Sequence, residues 1–227
     1  MYIVEAIINR LFSRTDCYAE ARIRDGKVIY VPSYYSDAST PLLPVDRDVV
    51  QAHLQGTRTT GSYVLNEDKC RFAVVDVDVY EGDPVAVGWV AALEVRGRLL
   101  AIGVPTEAML LEFSGRKGWH VWLLFQELVE AATVRRVLQT AVQQAGFSMH
   151  GSSQAERDGF PGHLELFPKE DRAPRFGSLI KLPLGIHQAT KARSCFYDVS
   201  GQPLPDESLV AAVPMSQSLL ARIAENF

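Results

Sequence analysis

Residues 70–80 of the chain read Cys-Arg-Phe-Ala-Val-Val-Asp-Val-Asp-Val-Tyr. The run from Phe72 to Val79 is rich in β-branched and aromatic residues and too short for a typical helix, so it predicts a buried β-strand. Because strand side chains alternate between two faces, Asp76 and Asp78 emerge on the same side. Two carboxylates this close repel each other unless cations match them. A hard divalent ion such as Mg²⁺ or Mn²⁺ is the simplest match, and the alternative is a strand end with two solvated aspartates.

Composition limits the classes of protein to consider. The chain has 227 residues, of which 47% are hydrophobic, and this length suits one large domain or two small ones. A net charge of −4 argues against a protein wrapped in nucleic acid by bulk charge, although it allows a small basic channel. The three cysteines are scattered without a Cys-x-x-Cys pair, which indicates reduced thiols and no zinc site. With no signal peptide or membrane-length apolar run, we expect a soluble, cytoplasmic protein without a membrane partner.

Local patterns predict a chain of alternating strands and helices. Helical periodicity and capping signals predict helices at residues 2–12, 47–54, 85–95, 131–145 and 216–225. Besides the strand at 72–79, alternating or apolar runs predict strands at residues 17–24, 27–31, 59–65, 109–113, 119–125, 163–167 and 178–182. Residues 32–44 and 168–177 are predicted loops. This order of elements predicts an α+β or mixed α/β domain with a mostly antiparallel central sheet.

A second chemical signal is the turn between the strands at 109–113 and 119–125. It reads Ser114-Gly-Arg-Lys-Gly-Trp-His120. Its two glycines let backbone N–H groups approach an anion, Arg116 and Lys117 add positive charge, and Ser114 and His120 add donors at the two ends. This combination suits a triphosphate, although the segment lacks the spacing of a Walker loop. The alternatives are a solvated hairpin turn and a structural histidine.

Three further residues suggest a function only in combination with the two aspartates and the cationic turn. Glu165 stands between Leu164 and Leu166, so alternation points the leucines into the core and the glutamate to the other face, where it either joins the aspartates or is merely exposed. Lys181 lies within an apolar strand, which favours either an anionic ligand or a side chain that reaches the surface. Tyr63 ends the strand before the central one, where it either approaches a nucleotide sugar or belongs to the core.

Four segments, taken in order, resemble a known family. They are Arg-Phe-Ala-Val-Val-Asp-Val-Asp at residues 71–78, Glu-Phe-Ser-Gly-Arg-Lys-Gly-Trp-His-Val-Trp at 112–122, Leu-Glu-Leu-Phe-Pro-Lys at 164–169 and Ile-Lys-Leu-Pro-Leu at 180–184. This set resembles the archaeo-eukaryotic primase superfamily, in particular the primase domains of CRISPR-associated primase-polymerases and mobile-element conflict systems. The resemblance extends over about residues 14–197. The chain departs from the wider superfamily in one position, because its third acid is Glu165 where Asp is common.

The resemblance implies a fold and a set of site residues. The implied fold is that of an archaeo-eukaryotic primase, with a catalytic half similar to an RNA-recognition motif packed on an N-terminal α/β half. We expect a single domain over residues 1–227, with halves at about 1–68 and 69–200 and a C-terminal helix at about 214–227. The resemblance implies that two divalent ions, Mg²⁺ or Mn²⁺, bind to Asp76, Asp78 and Glu165. It also implies that nucleotides bind to a cluster of polar and cationic residues: Tyr63, Ser114, Arg116, Lys117, Gly118, His120, Lys181 and His187.

The function implied is template-dependent joining of nucleoside triphosphates, in primer synthesis or extension. Its partners would be nucleoside triphosphates and a single-stranded DNA template with its primer, in a larger protein or a defence or mobile-element system. Two alternatives remain from the residues alone. One is a metal-dependent nuclease or phosphoesterase, which also uses clustered carboxylates, and the other is a catalytically silent nucleic-acid-binding domain of a larger assembly.

Overall fold

A computed structural model describes residues 2–33, 42–173 and 175–227 of the chain. The helical segments, in chain order, are α1 Ile3–Leu11, α2 Arg47–Leu54, α3 Val85–Ala101, a 3-10 turn at Thr106–Ala108, α4 Ala131–Gln144, α5 Ser208–Ala211 and α6 Gln217–Ala224. The strands are β1 Ala19–Arg24, β2 Lys27–Pro32, β3 Thr60–Tyr63, β4 Lys69–Val79, β5 Met109–Phe113, β6 Gly118–Glu130, β7 Ser148–His150, β8 Gln154–Glu156, β9 Gly162–Phe167, β10 Leu179–Lys181 and β11 Cys195–Tyr197.

Strand β4 lies at the centre of a seven-stranded sheet with the order β11-β5-β6-β4-β9-β8-β7. Every pairing in this sheet is antiparallel. Helices α3 and α4 pack on one face of it, and Val79 of β4 lies directly against Gly88 of α3. Alternation therefore turns Val75, Val77 and Val79 toward the helices and leaves Asp76 and Asp78 on the opposite face.

The second sheet has four strands in the order β10-β3-β1-β2. Strands β1 and β2 form the predicted hairpin, and its turn residues Asp25 and Gly26 have φ angles of 51° and 73°. Positive φ at both positions matches the right-handed twist of a two-residue hairpin, which explains the Asp-Gly sequence. Strand β10 comes from late in the chain and pairs with β3, so this sheet combines three strands from the first third of the sequence with one from its last third.

Most predicted elements are confirmed, and their differences have physical reasons. Helix α2 has the predicted bounds, and its N-cap Asp46 accepts a hydrogen bond from the Val49 amide at 2.8 Å. The central strand begins at Lys69, before the predicted Phe72, because a register shift lets Lys69 and Cys70 pair beyond an irregularity. The predicted loop at residues 32–44 falls in part outside the described residues, at 34–41.

The burial of side chains along the strands agrees with the predicted alternation. Leu164 and Leu166 have no exposed surface, as alternation along β9 predicts. The cysteines are free thiols, two of them buried, in agreement with the prediction of reduced cysteines. Throughout the described ranges, no helix combines the length and the apolar character that crossing a bilayer requires.

Candidate active site

The strand register brings four charged side chains into one row. In the pairing of β4 with β9, Asp76 is opposite Glu165, and in the pairing of β4 with β6 it is opposite His120. His120 is in turn opposite Glu112 of β5. Directly opposite residues of an antiparallel sheet share a face. The row Glu112, His120, Asp76 and Glu165 therefore runs across four strands on the face that turns away from α3 and α4.

This row opens into a cavity of about 390 Å³ between the two sheets. The lining includes nine of the eleven residues predicted for the site: Asp76, Asp78, Ser114, Arg116, Lys117, His120, Glu165, Lys181 and His187. Gly118 lies next to three of them, Asp76, Asp78 and Ser114, and Tyr63 is the exception. The other sheet contributes Val28 and Tyr30 from the β1–β2 hairpin. The structure thus brings residues from distant parts of the sequence around one space.

Each of the three predicted metal-binding carboxylates faces a cation. Lys117 Nζ lies 3.2 Å from Asp78 Oδ2, and His120 Nε2 lies 3.4 Å from Asp76 Oδ1. Lys169 Nζ donates to Glu165 Oε1 at 2.8 Å. Burial, followed by repulsion from Asp76, raises the pKa of Asp78, and Lys117 partly offsets this rise. The crowding of Asp76 and Asp78 in a buried place therefore disfavours the charged form of Asp78 unless a further cation lies beside it.

Gly118 allows the cationic turn to approach the aspartates. A Cβ at this position would lie 2.6 Å from Asp78 Oδ1 and 3.3 Å from Asp76 Oδ1. The Gly118 amide donates to Ser114 Oγ at 3.1 Å, which closes the turn. On its outer side, Thr190 Oγ1 donates to the Gly115 carbonyl at 2.7 Å. The turn is thus fixed from both sides beside the carboxylates.

Two further residues with hydrogen-bond donors, Arg116 and His187, lie on the wall of the cavity. Arg116 donates to Glu81 at 2.7 Å, a surface pair in which both side chains remain substantially exposed. His187 lines the cavity, and burial, followed by the positive charges of Lys181 and Arg116, lowers its pKa. A neutral imidazole and an exposed guanidinium can both donate to an anion. Both groups line the cavity, where the sequence predicted donors for phosphate oxygens.

Glu112 is the central residue of the site that sequence reasoning did not identify. Its Oε2 accepts from His120 Nδ1 at 2.7 Å, and the side chain has no exposed surface. Burial alone would lower the pKa of His120, but Asp76 and Glu112 outweigh it and raise the pKa to about 10. Burial alone would raise the pKa of Glu112, but Lys181 and His120 outweigh it and lower the pKa to about 2. The only local signal was a glutamate within the apolar strand 109–113.

Lys181 has a different environment from either predicted one. It is 9% exposed, so its ammonium neither reaches the surface freely nor stands alone in the cavity. Its Nζ donates to the Leu182 carbonyl and to Ser194 Oγ, both at 3.1 Å, and lies 3.4 Å from Glu112 Oε1. A carboxylate of the protein itself therefore explains this buried cation.

Tyr63 does not line the cavity. It is 5% exposed and stacks on Phe176, with ring centroids 5.0 Å apart. Tyr63 lies in the second sheet, where Tyr30 on a neighbouring part of the sheet reaches the cavity instead. Burial, followed by the charge of Glu112, raises the pKa of Tyr30, so its hydroxyl stays protonated.

The residues fit a hard metal ion, although they do not enclose one. Within the described ranges, no group of three or more His, Cys, Asp and Glu side chains is arranged around a common metal position. Asp76 Oδ1, however, is buried and makes no hydrogen bond, although His120 Nε2 lies 3.4 Å away. An unsatisfied buried carboxylate oxygen beside Asp78 is the donor that Mg²⁺ and Mn²⁺ prefer. Glu165 pairs with Lys169 rather than pointing to these two oxygens.

A larger cavity of about 580 Å³ lies elsewhere, beside α1. Its lining includes Arg14 and Asp16, which form a two-pronged ion pair with distances of 2.7 and 2.6 Å. Because these charges satisfy each other, the described lining of this cavity has no unsatisfied carboxylate oxygen comparable to Asp76 Oδ1 between the sheets. The chemistry, rather than the volume, identifies the candidate active site.

The chain is similar in sequence to a known family and in fold to a solved structure. Residues 4–213 match the family model described as the TOTE conflict system, Archaeo-Eukaryotic Primase domain. The polymerase domain of Mycobacterium tuberculosis ligase D, solved in complex with DNA, is similar in structure at 18% identity and a TM-score of 0.53, over 99% of this chain and 87% of that chain. The primase-polymerase domain of cyanophage S-2L matches at 18% identity and a TM-score of 0.44, over 88% of this chain and 89% of that chain. No curated protein matches the chain.

Proposed function

Because the chain belongs to the archaeo-eukaryotic primase domain family of TOTE conflict systems, we propose that it is a template-dependent nucleotidyltransferase. It joins nucleoside triphosphates on a nucleic-acid template, in primer synthesis or extension. The observation that carries this proposal is the row in which Asp76, its neighbour Asp78 and Glu165 share one face beside a cationic turn. Carboxylates next to cationic donors in one cavity are what such a reaction needs.

Asp76, Asp78 and Glu165 would hold two divalent ions, Mg²⁺ or Mn²⁺. When bound, these ions supply charge stabilisation for the attacking and leaving oxygens of an in-line displacement. The unsatisfied Asp76 Oδ1 supports this role for the aspartates. Glu165 would take part by exchanging its partner Lys169 for the metal, and its longer side chain compensates for the departure from Asp.

The cationic side of the cavity would bind the triphosphate. Lys117 and Lys169 both line the cavity and both contact carboxylates, so each can exchange a carboxylate oxygen for a phosphate oxygen once metal ions bind the acids. Ser114, Arg116 and His187 would add donors. In the reaction, the oxygen of a primer 3′-hydroxyl forms a bond to the α-phosphorus, the bond from that phosphorus to pyrophosphate breaks, and the hydroxyl proton passes to solvent. These residues contribute by holding the two reactants in line.

A single-stranded DNA template with its primer would bind along cationic parts of the surface. The β1–β2 hairpin supports this, because Arg24 lies directly opposite Lys27 and both are exposed, while the other face of the hairpin lines the cavity. Like charges in such a pair are unfavourable unless a polyanion offsets them. Lys169, Arg172, Arg175 and Lys191 are further cations that lie between the strands and helices. Arg193 is less suited, since it is paired with Asp206 at 2.7 and 3.1 Å.

We also propose that residues 1–227 form one catalytic domain that serves a larger conflict or defence system. The family description supports this setting. The division into halves at about residue 68 follows the border between β3 and β4.

The proposal is tested by primer extension with ribonucleotides and with deoxyribonucleotides, in the presence of Mg²⁺ or Mn²⁺. Wild type should incorporate nucleotides that the template specifies, and Asp78→Asn should lower the rate by at least ~100-fold, because loss of a direct metal-binding group exceeds the effect of an outer one. The exposed residue Asp48 provides the matched control, and Asp48→Asn should retain the wild-type rate.

A second readout separates metal binding from turnover. Mn²⁺ should raise the melting temperature of wild type and of Asp48→Asn, but not that of Asp78→Asn, since a ligand stabilises only the state that binds it. Cleavage of the template without added nucleotides, or incorporation by Asp78→Asn at the wild-type rate, would contradict the proposed function.

A further inference from the structure

Glu112 is a buried carboxylate with two differently engaged oxygens. Its Oε2 accepts hydrogen bonds from His120 Nδ1 at 2.7 Å and from Trp122 Nε1 at 2.8 Å. Its Oε1 lies 3.4 Å from Lys181 Nζ. The residue has no exposed surface and is not part of the cavity lining, so it cannot touch a substrate bound there.

A buried carboxylate needs a reason, because removing its charge from water costs several kcal/mol unless partners compensate. Here the partners are cations that do line the cavity. His120 belongs to the seven-stranded sheet and Lys181 to the four-stranded sheet. Glu112 therefore contacts one residue from each wall of the cavity, His120 and Lys181, without lining the cavity itself.

The contact with Oε2 decides which way the imidazole faces. Because His120 Nδ1 donates to Glu112, Nε2 is directed to Asp76 Oδ1, 3.4 Å away. Rotating the ring by half a turn would place a carbon atom against Oε2 and leave a buried carboxylate oxygen with one donor fewer. Losing this hydrogen bond to a charged carboxylate is unfavourable, and this cost keeps the ring in the observed orientation.

We propose that Glu112 is a positioning residue that fixes the His120 imidazole with Nε2 toward the cavity and holds Lys181 on the opposite wall. The link to catalysis rests on the proposed function, whereas the orientation of the ring does not. The same arrangement is known for histidines that bind metals, in which a carboxylate accepts a hydrogen bond from the second ring nitrogen and sets the orientation of the ring.

Two substitutions separate the roles of the oxygens. In Glu112→Gln, the amide oxygen can occupy the place of Oε2 and keep both donors, while the NH₂ group faces Lys181. In Glu112→Leu, a side chain of similar size accepts nothing, so His120 loses its partner. Trp122→Phe is the matched control, because it removes the other donor to Oε2 and leaves the His120 contact in place.

The readout is the side-chain N–H signal of His120 in ¹H–¹⁵N NMR spectra of the protein without metal or nucleotide. A slowly exchanging, downfield Nδ1–H signal is expected in wild type, Glu112→Gln and Trp122→Phe, and its loss is expected in Glu112→Leu. The incorporation rate should follow the signal, with a loss of at least ~10-fold in Glu112→Leu and a smaller loss in Glu112→Gln. Glu112→Asp is measured as well, since it keeps the charge but withdraws the oxygens by one methylene, and it should behave like Glu112→Leu.

The outcomes distinguish this inference from the proposed function. A folded Glu112→Leu or Glu112→Asp variant that keeps the wild-type His120 signal overturns it. So does a Glu112→Gln variant that loses the signal as completely as Glu112→Leu, because the charge and not the hydrogen bond would then be decisive. If wild type incorporates no nucleotides, the proposed function fails while the NMR comparison still decides the role of Glu112.

Discussion

Gly118 shows how a single missing side chain shapes the site. A Cβ there would approach Asp78 Oδ1 to 2.6 Å, closer than nonbonded atoms tolerate, and Ser114 Oγ to 3.2 Å, a tight contact. The clashing atoms end flexible side chains, so Gly118→Ala should be tolerated by the fold but should displace the aspartate. We expect nucleotide incorporation to fall by at least ~10-fold with a change of less than about 1 kcal/mol in the free energy of unfolding.

Gly97 in α3 provides the control for that substitution. A Cβ at Gly97 meets nothing within 4 Å. Gly97→Ala should keep the wild-type incorporation rate and should stabilise the helix by up to about 1 kcal/mol. If Gly118→Ala incorporates nucleotides as fast as Gly97→Ala, the close approach of the turn to the aspartates has no role in the reaction.

Helix α2 is fastened to the second sheet by one buried histidine. The Thr60 amide donates to His53 Nδ1 at 3.1 Å, and His53 Nε2 donates to the Pro183 carbonyl at 2.9 Å. Because Nδ1 accepts a bond, the ring is neutral, and burial lowers its pKa from 6.5 to about 4. Above pH 6.5 His53 is neutral in both the folded and the unfolded chain, so its two buried hydrogen bonds contribute fully to the free energy of unfolding. As the pH falls from 6.5 to about 4, the unfolded chain takes up a proton that the folded one does not, and stability drops by about 3 kcal/mol.

Urea unfolding of wild type and His53→Gln between pH 7.5 and 4 measures this effect. His53→Gln should be less stable at pH 7.5, because a buried donor or acceptor loses its partner. Its stability should then fall less than that of wild type on acidification. His150→Gln, which alters an exposed histidine, is the control and should follow wild type. Parallel curves for wild type and His53→Gln would show that His53 is protonated equally in both states.

The same elements show what a sequence can predict. Helix α2 and strand β5 have their predicted bounds because a cap or an apolar run marks them locally. Strands β7, β8 and β11 could not be predicted, since three residues carry no usable alternation. Strands β8 and β11 form where the longer strands β9 and β5 offer an edge, and β7 then pairs with β8.

Two sheets border the cavity of the candidate active site, and their packing explains which site residues could be predicted. Asp76, Asp78 and Glu165 follow from alternation along strands, a local rule. The contact of Glu112 with Lys181 joins residues 69 positions apart in different sheets, so no local pattern reveals it. The same packing of one sheet on the other decides that Tyr30 lines the cavity and that Tyr63 is buried away from it.

The distribution of charge over the molecule leads to a prediction about the template. The chain is acidic overall, with a net charge of −4, so binding of a polyanion must rely on local cations. On the β1–β2 hairpin, Arg24 faces Lys27 on the side opposite the residues that line the cavity. Replacing both with serine should weaken binding of a single-stranded DNA template by about 10-fold and make its dependence on salt less steep. Each lost phosphate contact should lower the slope of log K against log salt by about 0.7.

Two exposed arginines on the helical layer, Arg98 of α3 and Arg136 of α4, allow the same change of charge away from the cavity. The Arg98→Ser, Arg136→Ser double variant lowers the net charge as much as the hairpin variant does, so a general effect of charge would weaken both equally. Fluorescence anisotropy with a labelled oligonucleotide at several salt concentrations distinguishes the two cases. Equal affinities and equal slopes in the two double variants would exclude the hairpin as the template surface. A loss confined to the hairpin variant would show that a net acidic protein binds its template through one cationic hairpin at the cavity.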